Sequence, residues 1–289
     1  MNRWVLGARP RTLPAAVVPV LVGTAAASGE RFGGLIWWRA GAAMLVAIAI
    51  QIATNYVNDY ADGVRGTDDH RVGPARLVGG GLATASAVKK AALVCGLVAM
   101  VAGLALAAAV GPELLVVGAA SLAAGYLYTG GPKPYGYYGL GEIFVFTFFG
   151  VVATTGSAYV QLDELQVLAL AASVPVGCLA TALLVVNNLR DIPTDAAAGK
   201  RTLAVRMGDG PTRAAYIALV AAAFAMLPVL GLRRPWALLG LVALPLAIAP
   251  MRRIAAGVTG RGLVAVLGDT GRLQLGYGLL LTIGLGLSA

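Results

Sequence analysis

The chain has 289 residues, 58% of them hydrophobic and only 12% charged, with a net charge of +9 at pH 7 and a mean hydropathy of +0.80. A soluble domain carries about 25% charged residues, so a water-soluble globule is excluded. The long Ala/Leu/Val/Gly runs lack the alternation of lipid-facing barrel strands, and a helix satisfies its own backbone in lipid. The composition therefore predicts an all-α polytopic membrane protein.

Taken in chain order, residues 1–11 place Arg3, Arg9 and Arg11 ahead of the first apolar run without a small-residue cleavage pattern. This head is expected to stay as a cytoplasmic arm, with Trp4 at headgroup level. At about 20 residues per crossing, nine spans around a central cavity are expected. They centre on residues 13–27, 38–55, 90–110, 114–128, 143–160, 165–186, 214–230, 236–250 and 273–287. One domain covers residues 1–289, with functional cytoplasmic loops at 56–89 and 187–213. If the N-terminus is cytoplasmic, Arg31, Arg39, Arg233 and Arg234 fall outside and the remaining 18 of the 22 Lys and Arg fall inside. That bias is the positive-inside pattern. It accounts for the positive charge through topology and attraction to anionic lipid, so nucleic acid is not needed as a partner, and no protein partner is implied.

Cys95 and Cys178 stand in apolar spans without a CxxC pattern and read as core residues. His70 is the single histidine and forms no zinc set with them. Gly79–Gly81 lacks the spacing of a phosphate loop and marks a turn.

Two charged stretches interrupt this pattern. NYVNDYADGVRGTDD (55–69) follows the second span and NNLRDIPTDAAAGKRT (187–202) follows the sixth. On a continuing helix Asn55, Asp59 and Asp62 share a face at i, i+4 and i+7, and Asn187, Asp191 and Asp195 nearly do at i, i+4 and i+8. Pro193 is expected to end or kink the second helix near Asp191. A single cluster of this kind reads as a solvated helix end, a cap or the gate of a cation path. Two matched clusters on one side of the membrane, 132 residues apart, point instead to a convergent site. Four crowded carboxylates repel one another, and a divalent cation removes that penalty. Magnesium takes oxygen ligands and binds through one or two carboxylates together with substrate phosphates. Two Asp pairs, each holding a magnesium ion, make a clamp for a diphosphate. Arg65, Arg71, Arg76, Lys200 and Arg201 lie downstream, and Arg190 directly before Asp191, to meet the remaining charge. Asn55, Asn58, Asn187 and Asn188 offer neutral oxygens.

At these residues the chain resembles the UbiA-type intramembrane prenyltransferases, which carry an NDxxD-like motif after the second helix and DxxxD after the sixth. Here these are Asn58-Asp59-Tyr60-Ala61-Asp62 and Asp191-Ile192-Pro193-Thr194-Asp195. The resemblance implies that magnesium holds an isoprenyl diphosphate, that the allylic C–O bond ionises, and that an aromatic acceptor captures the cation. The stretches GTDDHRVGPARLVGGG (66–81), YTGGPKPYGYYGLGEIFVFTFFG (128–150) and NNLRDIPTDAAAGKRTLAVRMGD (187–209) are similar to the 1,4-dihydroxy-2-naphthoate polyprenyltransferases (MenA type) of menaquinone synthesis. That implies polyprenyl diphosphate and 1,4-dihydroxy-2-naphthoate as substrates, with loss of CO2, giving demethylmenaquinone at a bacterial inner membrane. By the same resemblance Asp59, Asp62, Asp191 and Asp195 are catalytic metal ligands, and Lys133 binds diphosphate or acceptor. Gly66 occupies the third acidic position of the family's longer NDxxDxxxD form, so Asp68 and Asp69, slightly beyond, are carried as further metal ligands.

An allylic cation needs a dry pocket. Tyr56, Tyr60, Tyr126, Tyr128, Phe144, Phe146, Phe148 and Phe149 are candidates to shield it by cation–π contact, although packing is the plainer role for most. Adjacent Phe148 and Phe149 are not expected to face one pocket from one helix. An acceptor carboxylate calls for a cation, with Arg71, Arg76, Lys133 and Arg190 as choices. Glu142 reads as an N-terminal helix charge or an acceptor contact. Two rivals stand beside this reading. A sister prenyltransferase would use 4-hydroxybenzoate, haem, a chlorophyll precursor or a sugar phosphate. A cation transporter would need polar residues through the membrane depth, where the spans offer little beyond Gln51.

Overall fold

The computed structural model describes residues 2–30, 34–66 and 75–289; Asp68, Asp69, His70 and Arg71 lie outside the described residues. Among the described residues the chain is all-helical. The helices are α1 (Arg3–Ala8), α2 (Pro14–Ala26), α3 (Trp37–Arg65), α4 (Ala85–Ala109) and α5 (Glu113–Leu127). Next, α6 (Gly141–Val145) runs through a wider π-helical stretch, Phe146–Val152, into α7 (Ala153–Leu162). Then come α8 (Val167–Ala197), α9 (Leu203–Met207) and α10 (Asp209–Gly231). A tighter helical stretch, Pro235–Ala243, leads into α11 (Leu244–Ala255), and α12 (Gly262–Leu287) closes the order.

Each of the nine expected apolar segments is helical among the described residues. Six helices are long and apolar enough to cross a membrane: Trp37–Arg65, Ala85–Ala109, Gly141–Leu162, Val167–Ala197, Asp209–Gly231 and Pro235–Ala255. A seventh is gained if Arg3–Thr12 and Pro14–Ala26, bent by 52°, count as one broken span. The chain is thus a multi-pass membrane protein with six or seven such helices, fewer than the nine expected. The 15-residue α5 is short for a 30 Å hydrocarbon layer, and α12 is diluted by glycine, Arg272 and Gln274.

The bundle is built on α8. It is the most buried of the six, with 78% of its apolar window inside the protein against 22–33% for the others. Its Val176, Leu179 and Val186 join Tyr216, Val220 and Leu227 of α10 and Leu273 and Leu281 of α12 in one core. In lipid, close approach through small residues replaces the hydrophobic drive between helices. Gly150 and Gly177 supply it here: a Cβ on Gly150 would stand 2.5 Å from the Gly177 Cα. That contact brings the π-helical stretch flat against α8.

Of the two expected outcomes at Pro193, ending the helix does not occur, because α8 continues to Ala197. Proline removes one rung near the helix terminus, and Thr194 Oγ1 adds a bond to the Asp191 carbonyl at 3.0 Å. The spans also hold more polarity than Gln51 alone. Gln161 and Gln274 are fully buried, and the Gln274 amide has no hydrogen-bond partner among the described residues. Near the start of α3, buried Arg39 donates from Nη1 to Val160 O at 2.9 Å and Asp163 Oδ1 at 2.8 Å, and from Nη2 to Ala109 O at 2.9 Å. It thereby satisfies terminal carbonyls that α4 and α7 cannot pair internally.

Candidate active site

Both acidic motifs fall where the helical period puts them. Because α3 runs unbroken to Arg65, Asn55, Asp59 and Asp62 stay on one buried face, and α8 carries Asn187, Asn188, Asp191 and Asp195. All four aspartates and all four asparagines line one cavity of about 530 Å³. Its polar end lies at the motifs. Its apolar end runs between α2, α3, α4, α5 and α7 past Val20, Ala43, Leu106, Leu114 and Val160.

Among the described residues no group of three or more His, Cys, Asp or Glu is set to hold a metal ion. Each carboxylate meets a cation instead. Asp59 Oδ1 accepts from Arg9 Nη2 and from Arg76 Nη1 at 2.6 Å, while its Oδ2 accepts the Leu77 N–H at 3.1 Å. Asp191 takes a bidentate pair from Arg190 Nε and Nη2, both at 2.7 Å. Asp62 accepts from Tyr137 Oη at 2.8 Å and from Lys200 Nζ at 3.2 Å, and the same ammonium lies 3.9 Å from Asp195 Oδ1. A single positive charge thus joins the first motif to the second.

The asparagines are oriented by their surroundings. Asn55 Nδ2 donates to Ala8 O at 2.9 Å. Asn58 Oδ1 accepts from Thr129 Oγ1 at 2.5 Å, and Asn187 Oδ1 accepts from Arg190 Nη2 at 2.8 Å. Asn188 Nδ2 donates to Glu142 Oε1 at 2.9 Å. Glu142, expected as an N-terminal helix charge or an acceptor contact, stands in the first turn of α6 and is buried against the second motif.

The basic candidates divide. Arg76, Arg190 and Lys200 line the cavity. Arg65 is absent from its wall and holds the 129–140 loop, donating to Thr129 O at 2.5 Å and Gly131 O at 2.6 Å. Arg201 is exposed and gives its backbone N–H to Tyr137 O at 3.0 Å. Lys133 is exposed on the same loop and does not line the cavity. Asp68, Asp69 and Arg71 lie outside the described residues.

The aromatic candidates divide too. Tyr128, Phe144, Phe148 and Phe149 line the cavity, whereas Tyr56, Tyr60, Tyr126 and Phe146 do not. The expectation that Phe148 and Phe149 could not share a wall is overturned by the π-helical stretch Phe146–Val152. Its wider turn lowers the angular step between neighbours, so both rings reach one side. Tyr135 completes the wall, with its ring 5.5 Å from Tyr128 and stacked on Phe144 at 3.9 Å. Burial pushes the Tyr135 phenol up, so it stays a donor, to Ala124 O at 2.8 Å.

Four contributors escaped the sequence reading, Tyr135 among them. Arg9 reaches Asp59 because the N-terminal arm folds back onto α3, pinned by Tyr56 Oη to Trp4 O at 2.9 Å. Its left-handed backbone, φ +53°, is a strained setting for a residue other than glycine. Tyr137 sits between the Lys200 ammonium, 4.7 Å from its ring centre, and the Arg65 guanidinium at 5.4 Å. Thr129 orients Asn58. Arg9 stood in the sequence as one more topological charge, and Tyr137 as one tyrosine of three in a loop.

A paired-aspartate cavity in an all-helical membrane bundle defines a class, and the comparisons agree with it. Residues 16–262 match the model of the UbiA prenyltransferase family, and the chain belongs to that family. It is 50% identical over 277 residues, 96% of this chain and 94% of the relative, to the 1,4-dihydroxy-2-naphthoate octaprenyltransferase of Mycobacterium tuberculosis. It is 35% identical to the protein of that name from Escherichia coli, covering 87% of this chain and 84% of the relative. In fold it is similar to a UbiA homolog from Archaeoglobus fulgidus bound to GPP and Mg2+. The TM-score is 0.69 at 14% identity, covering 97% of this chain and 99% of that one.

Proposed function

We propose that this protein transfers a polyprenyl group from polyprenyl diphosphate to 1,4-dihydroxy-2-naphthoate, releasing diphosphate and CO2 and giving demethylmenaquinone. The reading includes nine crossings, one domain over residues 1–289, and a site on the cytoplasmic side of a bacterial inner membrane. The observation that carries it is the pair of motifs on one cavity wall, bridged by Lys200 between Asp62 and Asp195. The names of the relatives support the acceptor.

The residues fit magnesium. Their donors are hard carboxylate and amide oxygens, and the Lys200 ammonium already places one positive charge between the motifs. Asp59, Asp62, Asp191 and Asp195 would hold two ions. Magnesium, when bound, neutralises a diphosphate and makes it a better leaving group. The chain's own residues do the rest. Arg9, Arg76, Arg190 and Lys200 surround the polar end with fixed positive charge, which stabilises the departing anion without reorganisation. Tyr128, Tyr135, Phe144, Phe148 and Phe149 exclude water and turn ring faces toward an allylic cation. Arg76 and Arg190 are the two described acceptor-carboxylate candidates on the wall. The apolar end takes the start of the prenyl chain.

The test is incubation of the purified protein with magnesium, labelled polyprenyl diphosphate and a panel of aromatic acceptors. Labelled demethylmenaquinone forms with the naphthoate. Turnover with 4-hydroxybenzoate and none with the naphthoate overturns the acceptor assignment.

A further inference from the structure

Glu142 opens α6 beside the cavity, 7% exposed. Its Oε1 accepts from Asn188 Nδ2 at 2.9 Å, and its Oε2 is buried with no hydrogen-bond partner among the described residues. A buried carboxylate with one oxygen unmatched costs stability. An apolar side chain would fill the same space without that cost, so packing does not account for it.

Its effect on Asn188 does. An amide has a donor end and an acceptor end, and Glu142 Oε1 meets it as an acceptor. Glu142 therefore takes the donor end and leaves the Oδ1 end of Asn188, a residue on the cavity wall, for whatever lies in the cavity. The hydrogen bond that the amide N–H gives to Glu142 also polarises Asn188 and makes that oxygen a stronger acceptor. The surroundings are flat and apolar. The Tyr128 ring comes within 3.2 Å, and Leu184 within 3.3 Å, of where a Cβ on Gly141 would stand. Tyr135 and Phe144 stack 3.9 Å apart beyond Tyr128. Planar walls with one fixed acceptor complement a ring that bears a hydroxyl, and they disfavour an anionic group at that spot.

Resting on the phenolic acceptor proposed above, we infer that Glu142 is a positioning residue for the aromatic acceptor. Through Asn188 it presents a carbonyl oxygen that accepts the hydrogen bond of an acceptor hydroxyl, and so sets which ring carbon faces the prenyl group. A phenol held by a strong acceptor also releases electron density into its ring as the new bond forms.

Steady-state kinetics of the full chain separate this role from a structural one. Glu142→Ala raises KM for the naphthoate about tenfold and leaves KM for polyprenyl diphosphate within about twofold, as expected for one lost oriented hydrogen bond. Equilibrium binding gives a second reading. Wild type binds 1-hydroxy-2-naphthoate about tenfold tighter than 2-naphthoate, and Glu142→Ala erases that ratio. Glu142→Gln retains most of it, since its Oε1 still accepts from Asn188 Nδ2. A hydroxyl preference that survives Glu142→Ala overturns the inference, as does a parallel rise in both KM values with a fall in thermal midpoint. Should wild type use another phenol in place of the naphthoate, the functional proposal falls. The same ratio, taken on that phenol and its deoxy analogue, still decides the role of Glu142.

Discussion

Lys200→Met removes the charge that joins the two motifs. Its ammonium lies 3.2 Å from Asp62 and 3.9 Å from Asp195, with 13% of the side chain exposed. At an effective dielectric near 20, Coulomb's law gives about 5 and about 4 kcal/mol for these pairs. Desolvation cancels much of this, leaving roughly 2–3 kcal/mol of net attraction. The two distances limit the separation of the carboxylate oxygens to at most about 7 Å, so their repulsion without lysine is at least about 2 kcal/mol. Both effects favour a divalent cation in the variant. Since each 1.4 kcal/mol is a factor of ten, magnesium binding to metal-stripped Lys200→Met tightens at least about tenfold. Turnover falls, because the cation that meets the diphosphate is gone. Titration calorimetry, paired with the magnesium-induced shift in thermal midpoint, measures the change. Lys133→Met is the control, with affinity within about twofold of wild type, because a solvated surface charge acts weakly at range. Unchanged or weaker magnesium binding in Lys200→Met would refute the reasoning.

Three more variants probe opposite ends of the bundle. Asp62→Ala and Asp191→Ala each lower kcat by at least about a hundredfold while far-ultraviolet circular dichroism stays that of wild type; retained activity in both removes the metal-clamp reading. Arg39→Ala strips the donor from two carbonyls and one carboxylate and lowers stability by about 2–4 kcal/mol. This is read as a lower thermal midpoint with kcat per folded molecule unchanged, and a fall in kcat at constant midpoint would show that Arg39 acts on the site.

What was legible in the sequence was what depends on helical period. Asp59 and Asp62, and Asp191 and Asp195, share faces because α3 and α8 continue past their motifs, so spacing alone sufficed to bring them together. Contacts made by chain reversal were not legible. Arg9 meets Asp59 through a fold-back of the arm, and Tyr137 meets Asp62 through a turn of the 129–140 loop. Lys133 and Lys200 look equivalent as letters, each in a short polar stretch between spans. Only the path of the backbone puts one in the cavity and the other in the open. Glu142 was noticed, but a helix-end carboxylate is ordinary, and its burial against Asn188 depends on how closely α6 lies along α8. The number of crossings was not legible, because α5 is short and α12 is too polar for hydropathy and length to establish both.

The wide turn at Phe146–Val152 makes residue count part of the chemistry. An ordinary helix advances about 100° per residue, so losing a single residue from this stretch would rotate everything beyond it by about that angle relative to α8. Composition, hydropathy and the ability to cross a bilayer would hardly change. The cavity-lining residues beyond it, Gly156, Ser157 and Val160, would nonetheless turn away from the cavity. An insertion or deletion here alters the stereochemistry of the site more than most substitutions do, so in this helix position along the chain carries information that residue identity does not.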